Sequence, residues 1–204
     1  MNIIIFGPQG SGKGTQAKMI AEKFGIAHIS TGQILREMPR DTPLGKKVHE
    51  IMQTGKLHPD DMIIKIVTER LAKDDCKRGF ILDGVPRTLN QAKMLKAKID
   101  YAIYLDIPDK ETIRRLSSRS QCRTCNAIYG LANQPKRANV CDKCGGELYR
   151  REDDNPALIA KRLETFHKET EPLLDFYKHA GTLHVVDGKP PIEEIFKTIV
   201  KILK

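Results

Sequence analysis

The glycine-rich segment from Gly7 to Thr15 constrains the fold more than any other part of the chain. It reads Gly-Pro-Gln-Gly-Ser-Gly-Lys-Gly-Thr and lies between an apolar run at residues 3–6 and a helical pattern that begins at Lys13. A strand, a glycine-rich turn and a helix in this order predict a phosphate-binding loop, because glycines let successive N–H groups face an anion. The helix N-terminus adds positive charge, and Lys13 would contact the β- and γ-phosphates.

The loop departs from the usual motif at one position. The Ser or Thr that normally follows the lysine is Gly14, and the first hydroxyl comes at Thr15. We therefore do not expect the protein to ligate Mg²⁺ from that position. Asp83, at the end of a predicted buried strand, is the candidate to hold Mg²⁺ through water molecules; capping of a turn is the alternative role. Asp106 ends the next predicted strand and ranks below Asp83.

The remaining pattern alternates strands with helices. Near-continuous apolar strands predict a parallel sheet covered by helices on both faces, hence an α/β fold of the P-loop NTPase type. Predicted strands occupy residues 1–6, 26–29, 79–84, 101–107 and 183–186, and predicted helices occupy residues 13–24, 44–52, 89–97, 111–118 and 192–203. Further helices begin at residues 60 and 156, the latter interrupted near Pro172. Residues 30–59 and 119–154 fit the sheet poorly and are interpreted as insertions at its C-terminal edge, where ligands bind.

Composition limits the classes of partner. The formal net charge is +9, but the arginines are scattered rather than grouped in blocks, which favours a phosphate-lined cleft over a nucleic-acid surface. There is no apolar run long enough to span a membrane and no leader-like N-terminus. We therefore expect a cytoplasmic protein, monomeric, with small-molecule partners and neither membrane nor nucleic acid among them.

Four of the five cysteines form two matched pairs. Cys122-x2-Cys125 and Cys141-x2-Cys144 have the spacing of a four-cysteine zinc site. Four thiolates complete a tetrahedral shell, so such a site is structural rather than catalytic. Iron could take the same ligands, and two disulfides are a less favoured alternative in a cytosolic protein. The insertion that carries them is too short to build its own core, which explains the need for a metal. Cys76 stands apart and is interpreted as an ordinary half-buried residue.

Several ordered motifs together carry a family resemblance. They are Gly7–Thr15, Ser30-Thr31-Gly32 with Arg36, residues 79–87 with Gln91, Arg115-x3-Arg119, the cysteine quartet, and residues 150–156 with Arg162. With these motifs the chain strongly resembles the adenylate kinase family, of the type with a zinc-bearing lid. The resemblance implies the reaction Mg·ATP + AMP ⇌ 2 ADP. It also implies that residues 1–29, 60–118 and 155–204 form the P-loop core, residues 30–59 the AMP-binding insert and residues 119–154 the lid.

The resemblance also implies roles for individual residues. Catalytic roles fall to Lys13, Arg87, Arg119, Arg151, Arg162 and Asp83. ATP binding falls to Gly10, Ser11, Gly12, Lys13, Gly14, Thr15, Arg119, Ile128, Tyr129 and Lys189. AMP binding falls to Thr31, Arg36, Lys56, Leu57, His58, Gly84, Val85, Pro86, Arg87, Gln91, Arg151 and Arg162. Arg115 and Arg150 are weaker candidates, since a neighbouring arginine could take either role.

Selectivity is expected to lie on the AMP side. Gln91 offers an amide donor and an acceptor that suit an adenine edge, whereas no candidate on the ATP side strongly recognises a base. His58 is expected to contribute only its backbone. Val85 stands where the family more often has Phe, and the Val85–Pro86 bond is expected to be cis. The remaining histidines are expected to be structural or exposed.

Two alternatives remain open at this point. Another nucleoside monophosphate kinase, acting on UMP, CMP or GMP, would use the same core with a different acceptor pocket. A P-loop switch whose zinc ribbon binds RNA or protein would use the positive charge for binding instead of catalysis.

Overall fold

The computed structural model describes residues 1–204 and contains one five-stranded parallel sheet. The strand order is β2-β3-β1-β4-β8. The strands of this sheet are β1 (Asn2–Phe6), β2 (Ala27–Ser30), β3 (Phe80–Asp83), β4 (Tyr101–Asp106) and β8 (Leu183–Asp187). The helices are α1 (Lys13–Phe24), α2 (Thr31–Glu37), α3 (Pro43–Gln53), α4 (Asp60–Leu71), α5 (Leu89–Met94), α6 (Asp109–Ser117), α7 (Pro156–Thr165), α8 (Leu173–His179) and α9 (Ile192–Ile202). The predicted fold class is confirmed.

The central strand is buried on both faces, which is why it is apolar throughout. Ile3, Ile4 and Ile5 are all fully inaccessible to solvent. Ile4 packs into the larger core cluster, while Ile3 and Ile5 pack into a second cluster on the opposite face with α1 and α9. Consecutive side chains of a strand point to opposite faces, so a run without polar residues requires a layer of helices on each side.

The carboxyl ends of three neighbouring strands meet at one edge of the sheet. β1 lies between β3 and β4, with Ile5 in register with Asp83 and Phe6 in register with Tyr104. The glycine-rich loop that follows β1 therefore emerges between the ends of β3 and β4. This is the edge at which open α/β sheets bind ligands.

The two segments that fit the sheet poorly lie outside it. Residues 31–53 form α2 and α3, and α3 begins where the Thr42 side chain accepts a hydrogen bond from the Gly45 amide, with Pro43 in the first turn. Residues 120–149 contain a separate antiparallel sheet of order β6-β5-β7. Its strands are β5 (Ser120–Cys122), β6 (Ile128–Tyr129) and β7 (Leu148–Tyr149).

Two helix predictions were wrong in detail. The helix predicted to reach residue 97 ends at Met94, because Leu95 adopts an extended conformation. The interruption near Pro172 begins earlier than expected. Residues 166–170 form a π-helical segment, and α8 starts after Pro172. No helix is both long and apolar enough to cross a bilayer.

Candidate active site

The glycine-rich loop adopts a conformation that only glycine tolerates well. Gly7, Gly10 and Gly12 have φ values of 144°, 78° and 96°. A Cβ atom at Gly7 would clash with the backbone oxygen of Leu105, so the loop passes directly over the end of β4. Gly12 is the N-cap of α1, so the loop leads straight into the positive end of that helix. The loop backbone thus has the conformation that the predicted phosphate cradle requires.

Lys13 lies inside this loop. Its Nζ donates hydrogen bonds to the backbone oxygens of Gly7 and Pro8 at 2.8 and 2.7 Å. Burial lowers the pKa of Lys13 to about 7; the negative charge of Asp83 opposes the shift, and the charges of Arg87, Arg162 and Arg119 add to it. The ammonium therefore lies close to three guanidinium groups. A bound polyanion would reduce the repulsion among these positive charges.

Asp83 lies at the end of β3 beside the loop. Burial opposes its ionisation, but the neighbouring His28 and the charges of Lys13 and Arg87 outweigh burial and keep its pKa below the ordinary value. His28 Nε2 is 3.7 Å from Asp83 Oδ2. A Cβ atom at Gly14 would lie 3.3 Å from the same oxygen, so the residue that lacks the usual hydroxyl directly faces the carboxylate.

Arg87 is fixed by the turn that follows β3. Its Nε donates to the Gly84 oxygen at 2.8 Å, and its own backbone oxygen accepts from Thr170 Oγ1 at 2.8 Å. The Val85–Pro86 bond is cis, as predicted. Burial and the nearby charge of Arg162 lower the pKa of Arg87 to about 10, which leaves the guanidinium charged at neutral pH.

Two carboxylates that sequence reasoning did not single out hold Arg119, at the start of the second insertion, and Arg162 in α7. Asp154 is almost fully buried and accepts two hydrogen bonds from Arg119, at 2.7 and 2.5 Å. Arg162 Nη1 lies 2.9 Å from Asp153 Oδ2 and donates to the Asp153 backbone oxygen at 3.0 Å. Both acids belong to the Arg-Arg-Glu-Asp-Asp-Asn-Pro segment. The adjacent opposite charges in this segment were the one sequence feature that could have indicated ion pairs with arginines.

Arg36 and Arg151 complete the cluster. Arg151 Nε donates to Gln121 Oε1 at 2.5 Å, which ties it to β5. Burial and the charge of Arg119 lower the pKa of Arg151 to about 9, and burial also lowers the pKa of Arg36 against the pull of Asp153. Lys13, Arg36, Arg87 and Arg162 thus line one cleft, and the charges of Arg119 and Arg151 lie close to this group.

The cleft continues from the glycine-rich loop to the first insertion. Its walls include Gly32, Leu35, Arg36, Met52, Gly55, Lys56, Leu57, His58, Gly84 and Pro86. Thr31 Oγ1 donates to the Asp83 backbone oxygen at 3.2 Å. His58 Nε2 is 3.0 Å from the Val48 oxygen, so the ring is fixed within the insertion. The Val85 side chain is fully buried, and the nearly fully buried Gln91 accepts a hydrogen bond from the backbone N–H of the cleft residue Arg87 at 2.7 Å.

Other predicted residues lie further from the cluster. The Tyr129 side chain is buried in the small sheet, where its hydroxyl accepts from the Asp142 amide at 2.8 Å; Ile128 precedes it. Lys189 is exposed, but its backbone oxygen is 3.4 Å from Arg115 Nη2, and Arg115 Nη1 is 3.4 Å from the Gly10 oxygen. Arg150 points away and donates to the Ser117 oxygen at 2.7 Å. Of the two weaker arginine candidates, only Arg115 therefore reaches the loop.

The two insertions touch each other across the cleft. Asn126 Nδ2 in the small sheet's loop donates to Glu37 Oε1 at 3.3 Å, and Arg40 Nη2 lies 3.7 Å from Glu152 Oε1. Thr165 Oγ1, at the end of α7, is 3.5 Å from the Gly55 oxygen. The first two contacts join the two insertions, and the third joins α7 of the core to the first insertion.

The four paired cysteines converge at one end of the small sheet. Their Sγ atoms lie within 4.8 Å of one another, with 3.5 Å between Cys122 and Cys144 and 3.5 Å between Cys125 and Cys141. Zn–S bonds of about 2.3 Å in a tetrahedron imply S···S distances of roughly 3.8 Å, whereas a disulfide would need about 2.05 Å. All are free thiols, which overturns the two-disulfide alternative. The Thr124 amide donates to Cys122 Sγ at 3.4 Å, as thiolate ligands require. The residues fit a four-thiolate metal.

Comparison with known proteins agrees with this geometry. The family model described as adenylate kinase matches residues 5–182. The chain belongs to the adenylate kinase family. A relative named adenylate kinase from Archaeoglobus fulgidus is 49% identical over 213 residues, covering 100% of this chain and 98% of the relative. Relatives of the same name from Methanothrix thermoacetophila and Caldicellulosiruptor bescii are 47% and 45% identical, again over 100% of the chain and 98% and 99% of their own lengths. These matches confirm the resemblance and disfavour the other monophosphate kinases and the binding module.

Proposed function

We propose that this protein catalyses reversible transfer of the terminal phosphoryl group of ATP to AMP, giving two ADP. The observation that carries the proposal is that Lys13, Arg36, Arg87 and Arg162 line one cleft beside the glycine-rich loop, with the charges of Arg119 and Arg151 close to them. Two facing phosphate chains carry many negative charges, and arginine is suited to bind phosphate oxygens in pairs.

The chemistry needs alignment more than proton transfer. The AMP phosphate is already an anionic nucleophile, so no general base is required, and the remaining tasks are in-line positioning and neutralisation of charge. We assign Lys13 to the β- and γ-phosphates, Arg87 to the transferring group and the AMP phosphate, and Arg36 to the AMP phosphate. Arg119, Arg151 and Arg162 surround the group in transfer. Residues 10–15 bind the ATP phosphates through their amides, with Arg115 closing the outer side.

The acceptor is assigned to the part of the cleft next to the first insertion. Thr31, Gly84, Val85, Pro86 and the backbone of residues 56–58 would surround the AMP, with Gln91 facing its base. The fixed His58 ring supports a backbone role for that residue. On the donor side, Ile128 and Lys189 would offer contacts to the ATP base, while Tyr129 could contribute only its backbone because its side chain is committed to the small sheet.

Mg²⁺ accompanies ATP in adenylate kinases, and Asp83 fits it. The carboxylate is ionised, lies beside Lys13 and faces a glycine where a side-chain ligand would otherwise stand. Asp83 would hold the hydrated ion, which neutralises phosphate charge when bound. Zinc is our choice for the four cysteines, since tetrahedral thiolate sites without other donors suit it. Its role would be to fold the small sheet.

Three bodies are assigned to the reaction cycle: the core (residues 1–29, 60–118 and 155–204), the AMP insert (30–59) and the lid (119–154). The polar contacts between lid and insert, such as Asn126 with Glu37, are few and exposed, and therefore easily broken. Closure would keep water from the γ-phosphate and complete the arginine shell. Because every proposed catalytic group comes from one chain, a monomer suffices for the reaction. We also assign the protein to the cytoplasm, without nucleic-acid or membrane partners.

The proposal predicts a defined stoichiometry. Purified, zinc-loaded protein with Mg·ATP and AMP should form two ADP for each AMP consumed, measured by nucleotide chromatography. Lys13→Met, which removes the cation from the phosphate cradle, should reduce kcat/KM for ATP by at least about a hundredfold. Formation of one ADP per ATP with AMP unchanged would identify an ATPase and contradict the proposal.

The buried ammonium of Lys13 predicts a pH dependence. With a pKa of about 7, Lys13 is increasingly neutral in the free protein above that pH, so ATP binding must take up a proton. We expect kcat/KM for ATP to fall by about tenfold per pH unit above neutrality, while kcat changes less because bound phosphates restore the charge. Lys13→Arg should abolish this slope, because arginine stays protonated. A flat wild-type profile up to pH 9 would contradict the prediction.

A further inference from the structure

Gln91 is nearly fully buried, and both ends of its side-chain amide are occupied. Its Oε1 accepts a hydrogen bond from the backbone N–H of Arg87 at 2.7 Å, and its Nε2 donates to Asp60 Oδ1 at 2.8 Å. A backbone N–H can only donate and a carboxylate can only accept. The orientation of the amide therefore follows from the chemistry of its two neighbours, since a rotated amide would oppose donor to donor and acceptor to acceptor.

Asp60 is itself held by α5. Thr88 is the N-cap of that helix, and its Oγ1 accepts a hydrogen bond from the backbone N–H of Gln91 at 3.0 Å. The hydroxyl proton of Thr88 is therefore free to be donated to Asp60 Oδ1, 3.1 Å away. Asn90 Nδ2 donates to the other carboxylate oxygen at 2.9 Å. Three side chains of one short segment thus converge on a single acid in the first turn of α4. A favourable interaction with the N-terminus of α4 does not explain these contacts, because the exposed neighbour Asp61 can supply that negative charge alone.

We propose that Asp60 is a positioning residue that selects the acceptor base by fixing the Gln91 amide. The inference rests on the proposed function, in which Gln91 faces the base of AMP. The fixed amide has one N–H and one oxygen lone pair left. These suit adenine, which presents an acceptor at N1 and a donor at the 6-amino group. Hypoxanthine and guanine present the reverse, a donor at N1–H and an acceptor at O6, and would need the rotated amide.

The test compares AMP with IMP as acceptors at saturating Mg·ATP. IMP has the reversed donor and acceptor at N1 and position 6 but lacks the 2-amino group of GMP. A change in the preference between AMP and IMP therefore reports the orientation of the Gln91 amide alone. Removing the acceptor in Asp60→Ala should reduce the ratio of kcat/KM for AMP to that for IMP by roughly tenfold, through a higher KM for AMP and a lower KM for IMP. The KM for ATP should stay within about twofold, because none of the residues that we assign to ATP lies in this segment.

Three controls separate positioning from structure. Asp60→Asn keeps a carbonyl acceptor for Gln91 Nε2 and should retain most of the discrimination. Asp61→Ala removes the neighbouring exposed acid from the same helix turn and should behave as wild type. Asp60→Ser, whose hydroxyl is too short to reach Gln91, replaces the alanine variant if that protein does not fold.

Two results would overturn the inference, and they can be told apart. If Asp60→Ala lowers kcat/KM for AMP and IMP by the same factor, Asp60 is structural and the assignment of Gln91 survives. If Gln91→Ala leaves the KM for AMP unchanged in an active enzyme, the amide does not face the base, and the proposed AMP site itself is wrong.

Discussion

Replacing Arg87 with alanine will lower kcat by roughly 10³-fold or more, the largest effect that we expect from a single side chain. Arg87 is half-buried, fixed by Gly84 and Thr170, and adjacent to Lys13 and Arg162. Its guanidinium can contact donor and acceptor phosphates together, so its removal affects both alignment and charge in the transition state. Steady-state kinetics with both nucleotides saturating will measure the loss.

Two variants control for this change. Arg78→Ala removes an exposed arginine that is distant from the cleft, and should leave kcat unaltered. Arg87→Lys keeps the charge but not the forked geometry, and should fall between the wild type and the alanine variant. A loss of less than tenfold in Arg87→Ala, with an unchanged Tm, would remove Arg87 from the centre of the mechanism.

Withdrawing the metal from the four cysteines will unfold the lid and abolish most of the activity. The buried core of the small sheet consists of Cys122, Tyr129, Cys141 and Leu148, so two of its four members are proposed metal ligands. A segment of this size cannot remain folded on so little apolar burial. Arg119 and Arg151 flank the segment, and their positions depend on it. We expect kcat to fall by about a hundredfold or more, with the lid becoming sensitive to protease.

The measurement combines metal content, activity and limited proteolysis before and after chelation. Cys141→Ser should reproduce the chelated state, whereas Cys76→Ala, which removes a cysteine outside the quartet, should retain metal and a folded lid. Readdition of Zn²⁺ should restore both the protease resistance and the activity. A metal-free protein with an intact lid and full turnover would contradict a structural role for the site.

Much of the fold could be predicted because its signals are local. The central strands β1, β3 and β4 are short, largely apolar runs, and the glycine-rich loop, the Val85–Pro86 turn and the cysteine pairs are contiguous motifs. Helix ends were less predictable: the backbone turns extended at Leu95, and the π-helical segment before Pro172 has no distinct sequence signature. These depend on how neighbouring elements pack.

The residues of the site likewise divide into those that local motifs predict and those that only the tertiary structure places. The arginines were identified because they belong to motifs, and the structure brings them together. The acids that orient the site were not identified, because their partners are distant in sequence: Asp154 holds Arg119 across 35 positions, and Asp60 holds Gln91 across 31. Tyr129 was assigned to ATP by the family resemblance, but its side chain is buried in the small core of the lid. Such contacts are set by tertiary packing rather than by local pattern.

The most direct test of the account is phosphoryl transfer from Mg·ATP to AMP, GMP, CMP and UMP at equal concentrations, with product nucleotides resolved by chromatography. We predict that kcat/KM for AMP exceeds that for each other acceptor by at least about a hundredfold, because in our proposal the Gln91 amide faces the acceptor base in one fixed orientation. Preferential phosphorylation of GMP or a pyrimidine monophosphate by the zinc-loaded protein would contradict the assignment of the acceptor site.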